Sequence, residues 1–489
     1  MKKIYLFSVL ALGLTFGKTN AQSKTNNKPN IVFIYTDDQR YDALSIVQKE
    51  QGLKARFPWF KTPNLDRLGN EGVRFRNAFV VNSLCSPSRS VLLTGKYNHL
   101  NGIANNHTNL KDTLETYPSL LRKNGYKTAF FGKWHMAKES GKRPGFDYSA
   151  SFLGQGQYFD CPLEVNGVSQ PTIGWVDDVT TNFALDYIKE NKEKPFAVVL
   201  AFKSSHGPFQ PAERNKTAYA DVELTKSSSE SLEAPYKNQI ETKKKKNPTA
   251  PQNKSKSWTD NNDKMIRGYF GALKGVDENV GKILNLLDSL KLDKNTVVIF
   301  SSDNGYFLGE HGLGDKRAAY EESMRIPLLV RYPARFPKGK TIDKLVLNLD
   351  QAPSILDLAG VSAPKSYQGK SWVSLVENKP KDWRTSFLYE YFYEDGTTTP
   401  TIKAVRTETS KYIVYPGETE WSELYDLTKD PTESNNIVNK SGSAKVKEQL
   451  QQELSKLEKE SGFVIPSYAD ERPLDKDGKY VRPQPLQPL

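Results

Sequence analysis

Four apolar runs, each about the length of one buried strand, end abruptly in residues that carry chemistry. Asn30-Ile31-Val32-Phe33-Ile34-Tyr35 stops at Thr36-Asp37-Asp38, and Thr128-Ala129-Phe130-Phe131 stops at Gly132-Lys133-Trp134-His135. The run from Phe196 to Phe202 stops at Lys203-Ser204-Ser205-His206-Gly207-Pro208. The run from Thr296 to Phe300 stops at Ser301-Ser302-Asp303-Asn304-Gly305. Apolar runs alternating with helical segments specify an α/β fold, a large mostly parallel sheet sandwiched by helices. Ligands of such sheets bind at the carboxyl edge of the strands. Loop polarity alone does not select Asp-Asp, Asp-Asn and His at these points, so function is expected at that edge.

A second constraint is Ser83-Leu84-Cys85-Ser86-Pro87-Ser88-Arg89-Ser90-Val91-Leu92-Leu93-Thr94-Gly95. Here Cys-x-Pro-x-Arg runs straight into an apolar, helix-compatible stretch. The chain has two cysteines, and Cys85 stands where that helix begins. A helix N-terminus presents unpaired N–H groups and a positive dipole end, a seat for an anion. Arg89, one turn on, points back toward the same place. In an oxidising compartment the alternative is a Cys85–Cys161 disulfide.

Asp37, Asp38, Asp303 and Asn304 are hard oxygen donors. Such a set suits Ca²⁺, which takes roughly six to eight oxygens, better than Mg²⁺, which retains waters. Read singly, Asp-Asp is a helix N-cap and Asp-Asn-Gly a turn. Of the five histidines, His135 and His206 stand at strand ends and are the best placed for proton transfer. His311 lies on the glycine-rich loop Leu308-Gly309-Glu310-His311-Gly312-Leu313-Gly314-Asp315-Lys316 and is a lesser candidate, for substrate contact. His99 and His107 follow the cysteine helix; one of them is a candidate for substrate contact, with solvent exposure as the default. No His-x-x-x-His or Cys-x-x-Cys spacing points to zinc, and no Gly-x-Ser-x-Gly elbow or P-loop is present.

Taken together these stretches resemble the formylglycine-dependent sulfatases of the alkaline-phosphatase superfamily. The likeness runs from about Pro29 to the C-terminal region. It rests on Pro29-Asn30-Ile31 through Asp37-Asp38, the Cys85 motif with Leu93-Thr94-Gly95 behind it, Gly132-Lys133-Trp134-His135, Ser205-His206-Gly207-Pro208, Ser302-Asp303-Asn304-Gly305 and Asp315-Lys316-Arg317. The resemblance implies that a formylglycine-generating or equivalent maturation enzyme oxidises Cys85 to formylglycine. One hydroxyl of the hydrated aldehyde attacks the sulfur of a sulfate ester, and the other later collapses to expel inorganic sulfate. It also implies one Ca²⁺ per chain, held by Asp37, Asp38, Asp303, Asn304 and modified Cys85. Lys133 and Lys316 would hold sulfate oxygens, and Arg89 would orient the hydrate. His135 is similar to the histidine that takes the diol proton, and His206 to the one that protonates the departing sugar oxygen, with Lys316 beside it.

Composition sets the surroundings. A chain of 489 residues with 37% hydrophobic and 26% charged content has material for two to three domains. Residues 1–21 read as a secretory signal: Lys2-Lys3, an apolar run from Ile4 to Phe16 too short to span a membrane, and Thr19-Asn20-Ala21 before Gln22. No cysteine follows that run, so no membrane anchor is expected and the mature protein is expected to be exported, to the periplasm first. Residues 27–380 are assigned to a catalytic α/β domain and 381–489 to a C-terminal α+β subdomain and tail. In the latter, Ser386–Tyr393 and Thr401–Tyr415 alternate like antiparallel strands, and Ala444–Glu460 is a helix candidate with Val446, Leu450, Leu454 and Leu457 on one face.

The net charge of +12 falls by the three lysines of the signal segment but stays basic, which favours polyanionic partners. Lys243–Lys246 lies in a Ser-, Lys-, Asn- and Pro-rich stretch read as a surface insertion, not a nucleic-acid site. The expected substrate of an exported, basic chain with this resemblance is a sulfated polysaccharide or its oligosaccharides. The Lys- and Asn-rich style of the chain resembles exported glycan-degrading enzymes of environmental bacteria, which puts algal polymers such as ulvan or carrageenan first. The Asp315-Lys316-Arg317 and Tyr320-Glu321-Glu322-Ser323 segments also resemble glucosamine-6-sulfatases of glycosaminoglycan breakdown. Substrate-contacting loops are placed at 154–175 and 203–260. The rival readings are a phosphoester or phosphonate hydrolase of the same superfamily and a non-catalytic binder of sulfated glycan.

Overall fold

The computed structural model describes residue 1 and residues 28–467 except 112, 137–139, 237–257, 381, 395–396 and 398. The expected signal segment after Met1, Lys243–Lys246 and the tail beyond 467 lie outside the described residues.

Ten strands form the main sheet: β1 (Asn30–Thr36), β2 (Val73–Phe75), β4 (Lys127–Lys133), β5 (Tyr148–Phe152), β6 (Leu163–Val165), β7 (Val168–Gln170), β8 (Phe196–Ala201), β9 (Thr296–Ser302), β11 (Leu328–Arg331) and β12 (Lys340–Ile342). Their order across the sheet is β12-β2-β11-β9-β1-β8-β4-β5-β6-β7. The central five, β9-β1-β8-β4-β5, are parallel. Antiparallel pairs flank them on both sides, and β12 closes one edge parallel to β2. A three-stranded sheet joins β3 (Ala78–Phe79), β10 (Arg325–Ile326) and β13 (Val346–Leu347). The α/β expectation therefore holds, including the smaller C-terminal sheet: β14 (Ser386–Tyr391), β15 (Ile402–Thr407), β16 (Ser410–Val414) and β17 (Glu423–Asp426) form an antiparallel meander.

Side-chain alternation along β1 explains the sandwich. Val32 and Ile34 face a core with Phe131, Leu200 and Phe300, closed by the helices Val176–Asn191 and Trp258–Ser289. Ile31, Phe33 and Tyr35 face the other core with Val199 and Ile299, closed by the helices Cys85–Thr94, Tyr117–Lys123 and Gln351–Leu358. Fully burying one such side chain contributes about 1.5–3 kcal/mol, and both faces of each central strand are used. A third core packs Phe79, Val81, Leu84 and Val91 against Phe387, Tyr389, Ile402 and Leu424, so the C-terminal sheet braces the cysteine helix.

The last helix, Ala444–Ser461, buries Leu450 and Leu454 on the small sheet, with Leu457 partly covered. Val446 departs from its expected place: it is 39% exposed and lines a surface cleft together with Thr407–Ser410, where β15 passes into β16. Among the described residues no helix is long and apolar enough to cross a membrane.

Strand register positions the site. Thr36 pairs with Ser302, Tyr35 with Ala201, and Ala201 with Gly132. The residues next in line after each strand therefore emerge level along one edge. Backbone bonds tie the exits together: Asp37 N donates to Ser204 O at 2.9 Å, Ser205 N to Asp37 O at 2.6 Å, and Asp303 N to Thr36 O at 3.1 Å.

Candidate active site

Cys85 occupies the first position of the helix Cys85–Thr94, with extended Leu84 as its cap. Both Cys85 and Cys161 are buried free thiols, so the disulfide alternative is set aside. Burial and the neighbouring Asp37 push the Cys85 thiol up to about 12. A neutral buried thiol is a poor nucleophile, so an unmodified cysteine does not suit displacement chemistry at this position.

Around Cys85 the structure gathers three carboxylates, three cations and an amide, all buried. Cys85 Sγ lies 3.6 Å from Asp37 Oδ1 and 3.8 Å from Lys133 Nζ. Lys133 Nζ also pairs with Asp37 Oδ2. Lys316 Nζ sits between the two oxygens of Asp38, at 2.8 and 2.9 Å. Arg89 reaches Asp303, Asp37 and the carbonyl of Lys133 at 2.8, 3.3 and 2.6 Å. Asp38 N donates to Asp303 Oδ1 at 3.0 Å, and Asn304 Nδ2 to Asp38 Oδ1 at 2.6 Å.

These donors fit a hard divalent cation. One oxygen from each of Asp37, Asp38 and Asp303 lies within 4.8 Å of the others. The fourth oxygen, Asn304 Oδ1, is buried without a hydrogen-bond partner, and a buried carbonyl oxygen left unpaired is costly unless something binds it. Charge crowding points the same way. Burial and the neighbouring acids push Asp38 up to about 7 and raise Asp303. Asp37, against the pull of burial, is held well below the usual carboxylate range by Lys133, His206 and Arg89. The Asp37-Asp38 pair caps no helix; it precedes an irregular segment, and the next helix begins at Ser45.

Backbone conformation shapes this edge. Asp38 and His135 have φ values of 60° and 51°, uncommon for residues with a side chain and a recurrent feature of functional sites. Gly132 has φ +92°, and a Cβ there would meet Ala201 O at 1.9 Å; a Cβ on Gly305 would meet Glu322 O at the same distance. Only glycine lets the strand exits carrying Lys133 and Asp303 approach their neighbours so closely.

His206 brings a ring nitrogen within 4.8 Å of Cys85 Sγ and an Asp37 oxygen. Its Nδ1 faces the carbonyl of Gly207 at 2.8 Å, and Tyr158 Oη donates to the His206 carbonyl at 2.5 Å. Burial, Lys133 and Lys316 push it down to about 2. His135 packs beside the residue after Cys85: Ser86 Oγ donates to the His135 carbonyl at 2.5 Å and lies 3.5 Å from its Nδ1. Burial and Lys133 hold His135 well below the ordinary imidazole value.

Several participants escaped the sequence reading. Gln155 Nε2 donates to His135 Nε2 at 3.0 Å, and Lys203 Nζ donates to the Gln155 carbonyl at 2.7 Å while lying 4.8 Å from the Tyr158 ring centre. Burial and Lys133 push Lys203 down to about 8. Asp177 accepts from the backbone nitrogens of Lys203 and Ser204, at 2.8 and 3.1 Å, and so holds the loop that carries His206. Lys203 was visible as the first residue after an apolar run, and Gln155 and Tyr158 fall within the 154–175 loop expected to contact substrate, although nothing local marks them out in it; Asp177 had no local signal.

The remaining histidines lie elsewhere. His311 is 2% exposed, stacked on Tyr320 with ring centres 3.8 Å apart. Its neighbours are Glu322, Phe307 and the Ser229 carbonyl, not the Cys85 cluster. The expected substrate contact has no support in that placement, since the tight loop Glu310–Gly312 turns the ring inward. His99 is buried, not solvated, pairing with Glu390 at 2.5 Å and the Ser461 carbonyl at 3.0 Å. His107 is exposed.

Comparison with known proteins decides the family. The family model described as Sulfatase matches residues 29–361. The chain belongs to the sulfatase family. A second model, N-sulphoglucosamine sulphohydrolase, C-terminal, matches residues 309–460. An N-acetylglucosamine-6-O-sulfatase of Bacteroides thetaiotaomicron is 32% identical, over 94% of this chain and 90% of that protein. An ulvan-active sulfatase of Formosa agariphila is 30% identical, over 90% of this chain and 83% of that protein. A solved structure in complex with its substrate D-glucosamine-2-N,6-O-disulfate superposes with a TM-score of 0.79 at 31% identity, covering 91% of this sulfatase and all of that chain. This sulfatase is accordingly a sulfuric ester hydrolase.

Proposed function

We propose that this sulfatase is exported and hydrolyses sulfate esters on a sulfated glycan, releasing inorganic sulfate, with formylglycine made from Cys85 as its nucleophile. The observation that carries the reading is the setting of Cys85: first residue of a helix, with buried Asp37, Lys133 and a ring nitrogen of His206 all close to its sulfur. When formed, the formylglycine hydrate supplies one hydroxyl for attack on sulfur and a second for release of sulfate. Asp37, Asp38, Asp303, Asn304 and modified Cys85 would hold Ca²⁺, which supplies positive charge against the sulfate oxygens.

The chain's own groups account for the rest. Lys133 and Lys316, buried and aimed at the carboxylate cluster, offset charge that builds on sulfate oxygens in the transition state. Arg89, fixed by four hydrogen bonds to acids and a carbonyl, orients the group at position 85. His206 gives a proton to the departing sugar oxygen, and His135 takes the proton that must leave before sulfate is released. Burial depresses His206 most, with Lys133 and Lys316 adding to it; an anionic sulfate beside the two lysines offsets their part, so substrate itself favours the protonated form.

Two glycan classes share the relatives' support. The N-acetylglucosamine-6-O-sulfatase relative and the disulfated-glucosamine complex favour a 6-O-sulfated glucosamine of glycosaminoglycan type; the ulvan-active relative favours the algal polymer. The test is sulfate release from N-acetylglucosamine 6-sulfate, heparin oligosaccharides and ulvan oligosaccharides, beside mass spectrometry of the Cys85 peptide. A peptide about 18 Da below the cysteine form, as thiol-to-aldehyde conversion requires, is expected with release from one class. An unmodified cysteine in active enzyme, or phosphonate ester cleavage in place of sulfate release, overturns the reading. Binding without turnover would return the non-catalytic alternative.

A further inference from the structure

A groove of about 960 Å³ opens beside His206. Its walls come from the segment just after the histidine, the loop around Phe159, and the start of the helix Trp258–Ser289. Two links join it to the site, one along the chain and one through a hydrogen bond. Pro208 and Phe209, which line it, are two and three residues beyond His206. Phe159 follows Tyr158, whose hydroxyl holds the His206 carbonyl.

Phe209 is fixed in place. Its ring packs edge-on against Tyr269 and Tyr306, and its backbone comes so near the helix that a Cβ on Gly268 would meet Phe209 O at 2.4 Å. Phe159, Phe209 and Met265 give the groove an apolar lining of the kind that sugar rings stack on. Its charged residues are Lys216, Lys264 and Arg267 against a single acid, Glu213. Lys216 lies 3.4 Å from Glu213. Lys264 and Arg267, three apart on one helix face, pair with no carboxylate among the described residues; Arg267 donates to the Tyr219 carbonyl.

We propose that this groove binds the continuation of a sulfated glycan chain beyond the sugar whose ester is cleaved, so that the enzyme favours oligosaccharides over single sugars. The inference rests on the proposed function, because the leaving oxygen must face His206 and its sugar then continues toward Pro208 and Phe209. A surplus of unpaired cations beside aromatic faces complements a chain that alternates ring faces with sulfates. A free sulfate needs none of this length, and an uncharged glycan would leave Lys264 and Arg267 without an anionic partner.

The test compares heparin-derived and ulvan-derived hexasaccharides with the matching sulfated monosaccharide, in the wild-type enzyme and in Lys216→Ala/Lys264→Ala, both exposed positions. For the accepted class the hexasaccharide is expected to have a KM about 10-fold below the monosaccharide, with the gap narrowing as salt rises from about 50 to about 300 mM. The double variant should lose most of that gap and leave monosaccharide turnover unchanged. Equal KM values in the wild type, or equal losses on both substrates, overturn the proposal. If no glycan releases sulfate, the proposed function falls instead, and hexasaccharide binding to Cys85→Ala with and without the two lysine substitutions still decides the groove: unchanged affinity overturns it.

Discussion

Arg89 donates through both Nε and Nη2 to a single oxygen of Asp303, Oδ2, at 3.0 and 2.8 Å. One turn of helix separates Arg89 from Cys85, and β9 delivers Asp303 from the far side of the site. The pair therefore sets the distance between the nucleophile position and the acids. With Nη1 on the Lys133 carbonyl and Nη2 also on Asp37, one guanidinium joins three strand ends.

Arg89→Ala should destabilise the fold and not merely slow it. Removing one partner of a buried ion pair costs about 3–5 kcal/mol because the charge left behind is uncompensated. Arg89→Lys should recover part of the stability and little of the activity, since an ammonium cannot reproduce the planar fork. Denaturant midpoints and sulfate release on the same preparations check both statements; Arg89→Lys with wild-type turnover would show that the fork has no orienting role.

Chelation should abolish turnover, and Ca²⁺ should restore it better than Mg²⁺. A cation that binds only the folded chain also stabilises it, by about 2.7 kcal/mol at a hundredfold excess over its Kd. Melting temperature should therefore rise with Ca²⁺ in the wild type and not in Asn304→Leu, which removes the unpartnered buried oxygen. Indifference of both melting and activity to chelator would count against the acid cluster as a metal site.

The parts of the site legible in the sequence are those fixed by local rules. A run of apolar residues in a parallel strand must end, and its polar successors lie at the carboxyl edge of the sheet; Asp37, Lys133, His206 and Asp303 obeyed that rule. Cys85 and Arg89 were placed by one turn of helix. His311 was not, because the direction of a loop side chain depends on what packs over it, here Tyr320. His99 was misjudged for the same reason: its partner Glu390 is 291 residues away. Gln155, Tyr158 and Asp177 act on the site through long-range contacts that no short pattern announces.

His206→Ala should separate substrates by their leaving groups. A sugar alkoxide needs a proton as it departs, whereas a nitrophenolate leaves nearly unaided. General acid catalysis contributes about 10²–10⁴-fold, so the loss on a sugar sulfate should exceed that on 4-nitrophenyl sulfate by a factor in that range. Equal losses on the two substrates would assign His206 to positioning alone.

His311 gives a stability signature that is separate from catalysis. Burial pushes its imidazole down to about 4, below the ordinary value near 6.5. Above about pH 6.5 both the folded and unfolded chains hold it neutral, and its contribution is intact. As pH falls toward about 4 the unfolded chain takes up the proton first, so the folded state loses up to about 3 kcal/mol from this residue. Glu433 acts in the opposite sense: burial raises it to about 7, so its neutral form favours folding below that pH and the benefit fades as pH rises from about 4.5 to about 7. The wild-type profile contains both, and His311→Phe, which keeps a ring on Tyr320, isolates the first. Its stability should fall less than that of the wild type between about pH 6.5 and about pH 4, measured by denaturant midpoints, with sulfate release at neutral pH retained. Parallel stability profiles would mean that His311 takes up its proton as readily in the folded chain as in the unfolded one, and lost turnover would return it to the substrate site.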